Sequence, residues 1–346
     1  MPYHIGVAKT LLSPSSSSQD STNQTKESFN KNAVQELPMR SVSGSSSGAI
    51  AATVMTLLPH RLEEYADRFL QDRGHAVRNL RQMLEEEEET IVQQQHTTSD
   101  VERLPKSSSG LELSICTTRC SDGGIEIFSF SDHLENRNES ERDGHNNNNK
   151  SEYHERLLKA IEASCLIPRS FHPFDMVALN YKDLLQKRSE STYPDEEGIE
   201  IDGKGYVDGG IAAPFPPTPM DGDEGCTGRI VVSPIAGEYF YKTTDDNVQH
   251  SQCLPLLKAV CPTTDASWKA PWIDSVAMFG SGKQQNDDAP LVGVRASPSL
   301  QNLRNLTTAM GVVPASPHDE INCTSGILRD WYERGQADAH EMLNEL

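Results

Sequence analysis

Residues 44–58 leave few folds open. Gly44-Ser45-Ser46-Ser47-Gly48 reads G-x-S-x-G, and Gly48 to Leu58 (GAIAATVMTLL) is apolar almost all round. A run apolar on every side reads as a buried helix. A short extended stretch, Met39 to Ser43, leads into the turn, and Pro59 ends the helix. Extended strand, tight turn and buried helix in that order make a unit of an α/β sheet, with a serine at the junction.

That geometry has chemical use. A serine on a sharp strand-to-helix turn keeps its Oγ exposed, and crowding there calls for small residues two positions either side, which Gly44 and Gly48 supply. The N–H of Ser47 opens the helix and can stabilise an oxyanion. A serine nucleophile needs a base. Asp208-Gly209-Gly210 offers one after the short run Tyr206-Val207, with two glycines that let the chain turn sharply. A carboxylate within hydrogen-bond reach serves if burial keeps it basic. The pair points to a serine hydrolase that works without histidine.

The 346 residues suffice for one large domain, but only 36% are hydrophobic, so much of the chain must lie outside the core. The net charge of −20 opposes a phosphate backbone, which excludes nucleic acid as a natural partner. Contact with lipid must then rest on local apolar surface rather than charge. No apolar run approaches the ~20 residues of a membrane span, and Met1 to Leu12 is too short and polar for a signal peptide. Seven cysteines without paired spacing read as free thiols of a reducing compartment, and the N-x-[ST] matches as chance.

The organisation follows from periodicity and punctuation. Residues 13–36, 85–109, 135–152 and 238–290 read as low-complexity or aperiodic inserts, with Glu85 to Glu89 a solvated helix end. Leu62, Tyr65, Phe69, Leu80 and Met83 fit one helix. Leu111 to Ile115 and Ile125 to Ile127 alternate around a Ser121-Asp122-Gly123-Gly124 turn, as a hairpin-like pair does. Tyr153 to Ser164 is an amphipathic helix, Arg229 to Ser233 a buried strand, and Ser297-Pro298 opens a helix with Leu300, Leu303 and Leu306. A last helix runs from about Ile321 to Leu346, and no internal repeat is visible. The expectation is a single α/β domain over 1–346 with a mostly parallel central sheet.

With both motifs in view, the sequence resembles the patatin-like phospholipase family, which carries G-x-S-x-G before a buried helix and D-G-[GA] after a short strand. Tyr3-His4-Ile5-Gly6-Val7 resembles the family's first helix and Leu111 to Phe130 its central strands. Ala163-Ser164-Cys165-Leu166-Ile167-Pro168 resembles the run that lines its site. Ile230 to Gly237, Leu303-Arg304-Asn305-Leu306 and the segment ending in Gly335 resemble the adipose triglyceride lipase-like branch of neutral lipases. The resemblance implies a patatin-like three-layer fold and an acyl-ester hydrolase with Ser46 as nucleophile and Asp208 as its base, Gly44, Ser47, Gly48, Gly209 and Gly210 shaping the site. It also implies a triacylglycerol or phospholipid substrate, met peripherally at a cytoplasmic droplet or membrane surface. No cofactor is implied. The family begins with a strand and a glycine-rich oxyanion loop, and this chain starts at Met1-Pro2-Tyr3, past that point, so those elements are expected to be missing.

Other signals are weaker. Gly280-Ser281-Gly282-Lys283 lacks the Walker pattern, because positions 277 and 284 are Ala277 and Gln284. The eleven histidines show no H-x3-H or HExxH, so no metal site is expected. His318 and His340 follow Asp208 in the chain order of an α/β-hydrolase triad, the enzyme alternative. The non-enzyme alternative is a catalytically weak lipid-surface or regulatory protein. Phe171, Phe174 and the stretch Leu300 to Val313 are the expected lipid contacts.

Overall fold

In a computed structural model, the residues described are 1–12, 39–72, 75–97, 111–130, 147–168, 194–212, 216, 228–234, 237–242, 256–260, 262, 277–279, 291–296 and 321–345. The expected insert 13–36, the helix opened by Ser297-Pro298 and the stretch Leu300 to Val313, with Phe171, Phe174 and His318, lie outside them.

Helix α1 is Pro2–Leu12, strand β1 is Ser41–Gly44 and helix α2 is Ser47–Leu57. Helix α2 buries Ala49 through Thr56 without a break, as its apolar sequence requires. Pro59 then opens a short 3-10 turn. The single helix expected over Leu62–Met83 is two, α3 at Leu62–Gln71 and α4 at Ala76–Thr97. The apolar spacing hides the break: Phe69 and Leu80 stand eleven positions apart, about three whole turns, so one stripe continues in register from α3 to α4. The glutamate run lies inside α4 rather than at its end, with Glu85 and Glu89 exposed as expected and the three between them half-buried. Glu86 accepts from Arg61 at 2.6 Å and from Arg68 at 2.8 Å, and Glu88 pairs with His154 at 2.7 Å, so α4 is tied to its neighbours through the residues expected to leave the fold.

Strands β2 (Glu112–Arg119) and β3 (Ile125–Phe130) form the expected antiparallel pair. Helix α5 spans Asn147–Ser164, beginning inside the segment read as an insert. Strands β4 (Ile199–Ile201) and β5 (Lys204–Asp208) form a hairpin, and a one-turn helix α6, Gly209–Ala212, follows at once. The 238–290 stretch read as aperiodic holds three strands. The downstream elements are β6 (Gly228–Val232), β7 (Gly237–Lys242), β8 (Leu256–Val260), β9 (Ala277–Phe279), β10 (Leu291–Ala296) and helix α7 (Ile321–Asn344).

The main sheet runs β1-β2-β5-β4, with β3 on β2. The fold is α/β and the pairing is mixed. Its parallel character is carried by β1–β2, the pair that enters the serine turn, and by β6–β8, while β2–β3, β2–β5 and β4–β5 are antiparallel. Leu113 pairs with both Val42 and Phe130, and Thr117 with both Glu126 and Asp208. A residue has two edges, so β1 and β5 share the edge of β2 opposite β3. They approach along it from opposite directions: β1 ends at Gly44 beside Ile115, and β5 at Asp208 beside Thr117. Two chain ends thereby converge on Cys116.

Helices α1 and α7 pack closely. A side chain on Gly6 would overlap the Tyr332 carbonyl, and one on Gly335 the Tyr3 carbonyl. The Tyr3 hydroxyl donates to Asp338 at 2.9 Å, and Trp331 is buried beside the Tyr3 ring.

Candidate active site

Ser46 stands between β1 and α2 with φ 52° and ψ −128°, one of two non-glycine residues of positive φ among the described residues. Such a backbone costs about 1–3 kcal/mol and persists only where the surroundings impose it. They do. The Gly48 and Ala49 amides donate to the Ser45 and Ser46 carbonyls at 2.8 and 2.9 Å, turning the chain directly into the helix. At Gly44 any side chain would collide with the Gly48 carbonyl, so that glycine is required. Gly48 is not: a Cβ there meets nothing within 4 Å, which corrects the expectation that both flanking positions are crowded. The crowding comes from the helix backbone folding over Gly44, not from neighbours of Gly48. The Ser47 N–H has no partner among the described residues and is available to an oxyanion.

Asp208 ends β5, is 5% exposed, and its carboxyl interacts with the Ser46 side chain. Its Oδ1 accepts the Gly210 N–H at 2.7 Å. Burial pushes the carboxyl up to about 6, against the smaller downward pull of Ser46 and Gly210. Gly209 is required, since a side chain there would overlap the Cys116 carbonyl. The main chain of Asp208 is fixed twice: its N–H donates to Leu166 O at 2.8 Å, and its carbonyl accepts from Thr118 Oγ1 at 2.7 Å.

Ser46, Ser47, Asp208, Gly209 and Gly210 are thus brought together from segments far apart in the chain. The profile of the Patatin-like phospholipase family matches residues 1–221, well over half the chain and all of these positions. The chain belongs to the patatin-like phospholipase family. Membership gives this patatin-like chain the coarse function of a lipid acyl hydrolase with lipid substrates. No curated protein and no solved structure matches it.

Of the two histidines that could have completed a triad, His318 lies outside the described residues and His340 is exposed on α7. His4 lies on α1, where burial drives its pKa down to about 3 and keeps it neutral. The thiols of Cys116 and Cys165 border the site, and burial holds both protonated. Sequence reasoning missed Thr118 and the individual parts played by Ser164 and Cys165. An isolated threonine in a strand carries no signal, whereas the ASCLIP run was visible as a site-lining segment. No described helix is long and apolar enough to cross a membrane.

Proposed function

We propose that this patatin-like chain hydrolyses lipid acyl esters with a Ser46–Asp208 dyad. The observation that carries the reading is a buried carboxylate at the end of β5 that interacts with a serine on the strained turn at the end of β1, the two strands converging on Cys116. In the first half-reaction Ser46 Oγ attacks the ester carbonyl carbon while its proton passes to Asp208. The tetrahedral oxyanion accepts from the Ser47 N–H. As the carbon–oxygen bond breaks, Asp208 returns the proton to the leaving alcohol and an acyl-Ser46 remains. Water, deprotonated by Asp208, then attacks the acyl carbon; the bond to Ser46 Oγ breaks, Asp208 returns the proton to that oxygen, and the fatty acid leaves.

The proposal extends to the neutral-lipase branch, with triacylglycerol or phospholipid cleaved at a droplet or membrane surface. This rests on Ile230 to Gly237, Leu303 to Leu306 and the segment ending in Gly335. It also treats 1–346 as one domain, which the packing of α7 on α1 supports. The convergence of the strands that end before Ser46 and at Asp208 favours the dyad over a histidine triad and over a catalytically weak regulatory protein.

Hydrolysis of a p-nitrophenyl ester, a triacylglycerol emulsion and phosphatidylcholine vesicles tests the reading. Ser46→Ala and Asp208→Asn are each expected to lower turnover by ~10³-fold or more, and His318→Ala and His340→Ala to leave most of it. A histidine change as damaging as Asp208→Asn would replace the dyad with a triad.

A further inference from the structure

Three consecutive residues at the end of α5 touch the main chains of both proposed dyad members. Ser164 is fully buried, and its hydroxyl is used in both directions: Oγ accepts the Ser46 N–H at 2.9 Å and donates to the Cys116 carbonyl at 2.7 Å. The Cys165 thiol donates to the Ser46 carbonyl at 3.3 Å. The Leu166 carbonyl accepts the Asp208 N–H at 2.8 Å. Both polar main-chain groups of the strained residue, and one of its partner, therefore end on a single turn.

We propose that the turn Ser164-Cys165-Leu166 is the positioning element of the dyad, setting the separation and orientation of Ser46 and Asp208 through their backbones. This deepens the Ser–Asp reading and rests on it. The physical case begins with Ser46, whose positive φ relaxes unless it is gripped. Its helix side is held by α2, through the Gly48 and Ala49 amides. Its strand side is held by Ser164, which joins it to Cys116, the point on β2 where β1 and β5 converge. Because Leu166 follows two residues later on the same turn, movement of α5 carries nucleophile and base together instead of separating them. Desolvation raises the pKa of the Cys165 thiol and so favours the protonated form that donates. None of the three residues need touch the ester.

The test is the rate at which a fluorophosphonate probe labels Ser46 in the whole chain, read beside kcat and KM for a soluble ester and circular dichroism. Ser164→Ala strands the Ser46 N–H and the Cys116 carbonyl, and is expected to slow labelling and kcat by about 10- to 100-fold with KM nearly unchanged. The pH midpoint of labelling should stay near 6, because the surroundings of the Asp208 carboxyl are intact. Thr53→Val removes another buried hydroxyl, one that only bonds the Ala49 carbonyl within α2, and should label at the unaltered rate. Cys165→Ala should slow labelling about 3-fold, and Cys165→Ser, which restores a donor, should recover it. A folded Ser164→Ala that labels at the normal rate overturns the proposal, as does an equal slowing in Thr53→Val. If Ser164→Ala does not fold, the Cys165 pair decides: equal rates for Ala and Ser overturn it. Probe uptake that persists in Ser46→Ala sinks the dyad reading itself, a result distinct from normal labelling of Ser46 in the turn variants.

Discussion

At pH 7.5 Asp208 is ionised yet buried, and its carboxyl has moved from the ordinary 3.8 to about 6. Between those values the folded chain holds a proton that the unfolded chain has released. This contribution to stability is full below 3.8 and lost as pH rises through 6, so the ionised carboxylate costs the folded state up to ~3 kcal/mol at neutral pH. Asp208→Asn should therefore raise the melting temperature at pH 7.5 while abolishing hydrolysis. The stability difference between variant and parent should shrink toward pH 4. The same titration should give the parent's kcat/KM a rising limb with a midpoint near 6. The glycines separate by their surroundings. Gly44→Ala and Gly209→Ala force a side chain into a carbonyl and should each cost about 2–3 kcal/mol in urea unfolding. Gly48→Ala enters open space on a helix and should be neutral or stabilising by up to ~1 kcal/mol. The sequence shows the motif but not this asymmetry, because crowding depends on where α2 turns back over Gly44.

Helices α3 and α4 are joined by an ion-pair cluster around Arg61. Its guanidinium reaches Glu64 and Glu86 at 2.7 and 2.6 Å and donates to the Met83 carbonyl at 3.0 Å. These charges are partly screened, so the cluster contributes less than its geometry suggests. Arg61→Ala should cost about 1–2 kcal/mol, mostly through the half-buried stem and the stranded carbonyl. Arg61→Lys should recover only part of this, since an ammonium cannot fork across two carboxylates and a carbonyl. Thermal unfolding at low and high salt checks both. The elements legible in the sequence were those with strong local pattern: α2, α5, the β2–β3 pair and α7. The β4–β5 hairpin went unread although its turn residues were in view. Asp202-Gly203, both at positive φ, sits between Ile199–Ile201 and Lys204–Asp208, the residue pair a two-residue hairpin turn demands. What stayed hidden was order without periodicity. Strands β7, β8 and β9 lie in an acidic stretch where short apolar pieces find partners only through long-range pairing. The sharing of one β2 edge by β1 and β5, which creates the site, is likewise invisible to local pattern.

Across the whole molecule, the patatin match ends at residue 221, but the support of its first helix does not. Helix α7 covers α1 with Trp331, Tyr332 and Ala339, all buried. Trp331→Ala should cost about 3–5 kcal/mol and lower activity through loss of folded protein, with the specific activity of what remains folded unchanged. Size-exclusion recovery beside active-site titration separates the two. The Tyr3–Asp338 bond joins positions 335 residues apart, and Gly6 and Gly335 interlock beside it. A ribosome adding about 5–20 residues per second needs roughly 20 seconds to a minute to travel that span. Throughout that interval Tyr3, Ile5 and Val7 have been made and α7 has not. The closure of α1 by α7 therefore waits on residues made 335 positions later, and until then α1 has only its nearer neighbours to pack against.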